Sequence, residues 1–65
     1  MKIGDYVLFD DIAWVIIRKH KDGTYQIQTL EPLRIWINNI QVEPKDITVI
    51  TKEVADVVRS VYESR

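Results

Sequence analysis

Between Asp10–Asp11 and the basic run Arg18–Lys21 the chain reads IAWVII, six apolar positions without a polar break. A strand wetted on one face alternates apolar and polar residues. The run is rich in β-branched and aromatic types, which suit a pleated surface. It predicts a strand over 12–19 whose second face also needs a cover. Ahead of it, IGDYVLF at 3–9 opens with the turn-forming pair Gly4–Asp5 and continues as a short strand. Val7 and Phe9 share one face of that strand, Tyr6 and Leu8 the other. Asp10–Asp11 makes a tight polar connection between the two.

KDGT at 21–24 is the clearest local signal. Asp22–Gly23 between two β-type runs predicts a hairpin, because glycine tolerates positive φ and aspartate tolerates it better than most residues. TYQIQTL then alternates strictly, with Tyr25 and Ile27 inward and Gln26 and Gln28 outward. Glu31–Pro32 ends that strand, since proline has no N–H to give to a ladder. LRIWI restarts it, with Ile35 and Ile37 on one face and Arg34 and Trp36 on the other. Asn38–Asn39 reads as a bulge or bend. QVEPKDI reads as a strand end followed by a single turn, with φ fixed at Pro44 and Asp46 able to bond back to the backbone. ITVIT at 47–51 predicts a last short strand.

The tail changes period. Val54, Val57, Val58, Val61 and Tyr62 fall at helical spacing. Thr51 is placed to cap the helix, and Glu53 lies near the positive end of its dipole. Arg59 and Glu63 can pair at i, i+4. A helix of three to four turns so rich in valine is marginal alone in water, so it must dock on something.

Five short strands and one helix predict a mainly β domain: a small five-stranded barrel over 1–51 followed by an amphipathic helix over 52–65, docked on the barrel or on a partner. Closure would remove the exposed edges of a flat sheet. Gly4–Asp5–Tyr6–Val7 resembles the opening of SH3-like small barrels, Tudor-like and KOW-like ones included. Trp14 followed by Val15 and Ile17 resembles the second-strand tryptophan of Tudor-like barrels. QVEPKDITVI resembles their closing pattern of hydrophobic residue, proline, acidic turn and last strand. The resemblance spans about residues 3–50. An OB-like or other small barrel is the remaining alternative.

That resemblance implies a non-enzymatic binding module for peptides, modified side chains, nucleic acid or a larger protein assembly; the fold does not choose among them. Tudor-like methyl-lysine readers hold the cation against aromatic rings. The matching positions here offer Phe9 and Trp14, while Gln28 and Thr29 stand where further rings would be wanted. KOW-like modules would place basic residues near the first loop, where this chain has Asp10 and Asp11.

If Val15 and Ile17 point into the barrel, Trp14 and Ile16 point out; if Ile35 and Ile37 point in, Trp36 points out. So large an outer apolar surface requires a cover. One reading places the helix over it, with Val54, Val57, Val58 and Val61 as the contact. A second makes Trp14, Ile16, Trp36 and Phe9 a protein-binding face of adaptor or inhibitor type, since tryptophan is enriched among interface hot spots. A third is a homodimer in which the helix packs on its neighbour. The basic run, with Asp10–Asp11, also guards an aggregation-prone apolar window. Its alternative role is phosphate contact by Arg18, Lys19 and Lys21, with Arg34 if it lies nearby; such binding would be weak and salt-sensitive.

Composition narrows the classes. The 65 residues suit one small domain, which buries only about 60% of its unfolded surface. A formal net charge of −1 argues against a generalised nucleic-acid glove, so nucleic acid stands second to a larger protein as partner. There is no cysteine and one histidine, His20, which gives no basis for a metal centre or thiol chemistry. With only Gly4 and Gly23 available there is no glycine-rich phosphate loop. No cofactor and no enzymatic activity are expected. The opening MKIGDYVLF lacks the apolar core of a secretory signal, and no apolar run approaches the roughly 20 residues of a membrane span. A soluble cytoplasmic protein, monomer or homodimer, is expected, of a size that suits a small regulatory or phage-encoded factor.

Overall fold

The computed structural model of the chain describes residues 1–30 and 39–63. The predicted strand over Leu33–Ile37, with Arg34 and Trp36, lies outside the described residues, as do Glu31–Pro32 and Asn38. Five strands and a helix follow one another: β1 (Tyr6–Phe9), β2 (Ile12–Lys19), β3 (Tyr25–Thr29), β4 (Asn39–Val42), a 3-10 turn at Pro44–Asp46, β5 (Thr48–Ile50) and α1 (Lys52–Glu63). The sheet is antiparallel throughout, in the order β4-β3-β2-β1-β5. It is an open sheet: among the described residues no ladder joins β4 to β5. The fold is therefore mainly β with a C-terminal helix.

Two turns set the register. Asp10 and Asp11 both take positive φ, 53° and 62°, and leave Phe9 paired directly with Ile12. This is the geometry that matches the twist of a two-residue hairpin. Because cross-strand partners share a face, Val7 and Trp14 must then lie on the same side, and the ladder indeed pairs them. At the second hairpin the Gly23 N–H donates to the His20 carbonyl at 3.1 Å and the His20 N–H to the Thr24 carbonyl at 2.9 Å. Gly23 takes φ 91° there, a region a side chain would make costly.

The core occupies the face carrying Val7, Trp14, Ile16, Tyr25, Ile27 and Val42, joined by Ile47 at the approach to β5. Phe9, Ile12 and Ile40 pack at its margin. Trp14 and Ile16 are thus inside, at 4% and 1% exposure, and Ile17 is 40% exposed. The expectation that Val15 and Ile17 point in and Trp14 and Ile16 point out is reversed. The two-residue turn is the physical reason, since it ties Trp14 to the side of Val7. A bulge between Ile16 and Arg18 then shifts the alternation, so that Ile17 has no cross-strand partner while Lys19 pairs with Tyr25 on the core side.

The other face of the sheet is divided. Over β1 and β2 it carries Tyr6, Leu8, Ala13 and Val15; over β3 and β4 it carries Gln26, Gln28, Asn39 and Gln41. The helix lies against β2 and β1. Ala13 and Ala55 are the two buried apolar residues that belong to no part of the core cluster, and they mark the seam between sheet and helix. Two alanines let a helix approach a sheet closely. The run IAWVII is apolar on both sides for this reason: one side faces the core and the other faces α1.

The start of α1 follows its sequence signal. The Thr51 hydroxyl accepts the Val54 N–H at 3.1 Å, and the Thr51 carbonyl accepts the Ala55 N–H at 2.9 Å. This satisfies donors that a helix N-terminus otherwise leaves unpaired. The side chains of Tyr62 and Glu63 lie outside the described set, and with them the expected Arg59–Glu63 pair.

Candidate docking surface

Of the four side chains expected to form an outer aromatic face, the three that are described do not form one. Trp14 and Ile16 belong to the core. Phe9 is half-buried and meets Trp14 edge to face, with ring centroids 6.0 Å apart and planes at 75°. The Trp14 Nε1–H donates to the Phe9 carbonyl at 3.0 Å, so the polar edge of the indole is satisfied inside. Phe9 and Trp14 come together as core and margin, not as an open cage. Trp36 lies outside the described residues.

Apolar exposure is scattered at Met1, Ile3, Ile17 and Val49 and falls on one element, α1, as a stripe. Ala55 is fully buried and Val58 and Arg59 are half-buried, whereas Val54, Val57 and Val61 are 44%, 62% and 51% exposed. At about 3.6 residues per turn the direction of Ala55, Val58 and Arg59 is the sheet side. Val57 points nearly opposite, and Val54 and Val61 lie between. The valines expected as the contact with the sheet are thus largely turned away from it. The helix is seated through its alanine because that side chain permits the closer approach. The periodicity of the tail showed an apolar stripe; the smaller residue inside that stripe was the signal for which part of it is buried.

The polar half of the sheet is closed by its own hydrogen bonds. The Gln26 Nε2 donates to Asn39 Oδ1 at 2.9 Å, and its Oε1 lies 3.1 Å from His20 Nε2. That arrangement calls for a proton on the histidine nitrogen. The Gln41 Nε2 donates to the Thr24 hydroxyl at 2.7 Å, and that hydroxyl donates to Asp22 Oδ1 at 2.6 Å. The Thr24 hydroxyl, and after it the Thr24 N–H, hold the Asp22 carboxyl below its ordinary pKa. These groups brace the second hairpin.

Arg18, Lys19 and Lys21 are exposed, but the sheet does not gather them. Arg18 stands in register with Gln26 and Gln41 on the amide face. Lys19 points to the core side, its ammonium 6.0 Å from the Tyr25 ring centroid. Arg34 lies outside the described residues. Among the described residues no group of three or more His, Asp or Glu side chains converges to hold a metal ion. No described helix is long and apolar enough to cross a membrane. Comparison with family models, curated proteins and solved structures finds no match to this chain.

Proposed function

We propose that this chain is a small non-enzymatic protein-binding module, of adaptor or inhibitor type, that docks through the outward valines of α1. A single observation carries the reading: Val54, Val57 and Val61 stay exposed on a helix that is already anchored by Ala55. An exposed apolar stripe on a rigidly seated helix is what helix-in-groove recognition requires, with anchors at i, i+3 and i+7. The aromatic centre of the sequence-based expectation gives way to this aliphatic one. For the sheet we propose an SH3-like small barrel, supported by the β1–β4 meander and the return of β5 beside β1.

The test is affinity capture by the full chain and by Val57→Ser. The wild type should retain a protein that the variant loses, with the two equally stable. Identical capture by both would contradict the reading. A second reading, nucleic-acid contact by Arg18, Lys19 and Lys21, draws on the exposure of all three. Their division between two faces would confine it to a few phosphate contacts. Affinity for a DNA or RNA oligomer that falls steeply with salt would favour this reading over the first.

A further inference from the structure

We infer that the partner of the α1 stripe presents its own apolar ridge flanked by lysine or arginine. This deepens the docking reading above and rests on it. Going round α1 outward from Val57, the 3.6-residue repeat gives Glu53, then Ser60, then Asp56, and only then Lys52. The open side of the valine stripe is therefore bordered by carboxylates. Glu53 and Asp56 are both exposed. The salt bridge between Lys45 and Glu43 involves neither of them. The cation Lys52 stands behind Asp56, away from the valines. On the other border lie the half-buried Val58 and then the sheet itself, while the half-buried Arg59 stands beyond Lys52.

The same geometry argues against an antiparallel second copy as the occupant. Two antiparallel helices packed by a twofold axis set each flank against its own counterpart. Here that would bring the Glu53–Asp56 border of one copy against the same border of the other, and like charges facing across an interface are unfavourable. A basic border on the partner removes the conflict. It also favours rapid encounter and discriminates among apolar helices, the role interface charges fill better than raw affinity.

The experiment uses the full-length chain and two synthetic amphipathic peptides with one leucine ridge, flanked by lysines in one and glutamates in the other. Binding is followed by fluorescence anisotropy at low and at high salt. The lysine peptide should bind about tenfold more tightly than the glutamate peptide at low salt, and the gap should shrink as salt screens the flanks. Val57→Ser should weaken both peptides, and Glu53→Lys with Asp56→Lys should reverse the preference; circular dichroism verifies that each variant is folded. Equal binding of the two peptides, both sensitive to Val57→Ser, overturns the charge inference and leaves the docking reading standing. Failure of both peptides to bind overturns both. A wild-type dimer in sedimentation that Val57→Ser dissociates makes a second copy the occupant and overturns the inference.

Discussion

Replacing Ile16 and, separately, Ile17 with alanine asks which face of β2 is the core. Ile16 is 1% exposed, pairs with Ile27 and belongs to the main cluster. Removing its three outer carbons forfeits about 2.4 kcal/mol of transfer free energy at ~0.8 per carbon. A residual cavity among Val7, Trp14 and Ile27 brings the loss to about 3–5 kcal/mol. A 65-residue domain has a total stability of ~3–10 kcal/mol, so Ile16→Ala removes a third of it or more. Ile17 is 40% exposed at the bulge, so the same truncation removes only part of the transfer term and leaves no closed cavity, a cost of ~1–1.5 kcal/mol. Urea unfolding followed by far-ultraviolet circular dichroism measures both. With a slope of ~1 kcal/mol per molar for so small a domain, the Ile16 variant should unfold about 2 M earlier than the Ile17 variant. An equal or greater loss for Ile17→Ala would refute the assignment of the core face.

Three further outcomes follow from the same contacts. Ala55→Leu should cost about 1–3 kcal/mol by overfilling the seam under α1, whereas Val57→Ser should stay within about 0.5 kcal/mol; thermal melts that rank them the other way would put the valines, not the alanine, against the sheet. Asp10→Asn with Asp11→Gly should stabilise the domain by about 0.5–1 kcal/mol, because glycine relieves the cost of positive φ in the first turn; a lower melting temperature would contradict that turn. The Asp22 carboxyl, held low first by the Thr24 hydroxyl, stabilises the hairpin above its unfolded pKa and loses that contribution as pH falls through its lower folded one. Its carboxyl carbon resonance should therefore titrate below the ordinary aspartate range in the wild type and return toward it in Thr24→Ala, and an ordinary midpoint in the wild type would count against the contact.

Much of the secondary structure was legible because its signals are local. The extent of β2, the Asp22–Gly23 turn, the single turn at Pro44–Asp46 and the Thr51 cap all follow from a few adjacent residues. Facing was not legible from IAWVII alone, since an uninterrupted apolar run carries no alternation to read. The missing constraint lay next to it: a two-residue turn at Asp10–Asp11 ties Val7 to Trp14, and Trp14 then lies with the inward residues Tyr25 and Ile27. The bulge at Ile17 had no marker in residue type. The fourth strand was expected at LRIWI, which lies outside the described residues, and QVEP was read only as a strand end, yet β4 occupies Asn39–Val42. A pair of asparagines there suggested a break, while Gln26 and Asn39 in fact bond across the ladder. The candidate site moved for a related reason: helical periodicity finds an apolar stripe but not which of its residues touches the sheet. Ala55, the smallest of them, settles that through packing distance.

In the proposed reading α1 is seated through Ala55 and turns Val54, Val57 and Val61 outward for a partner, while Trp14 is closed inside. Solvent paramagnetic relaxation, with a soluble gadolinium chelate added to a dilute methyl- and indole-labelled sample, tests both halves in one spectrum. The Val57 and Val61 methyls should broaden strongly, while the Val7 methyls and the Trp14 indole proton stay sharp. Protected Val57 methyls in a dilute sample, or a Trp14 indole that broadens with the surface, would contradict the account.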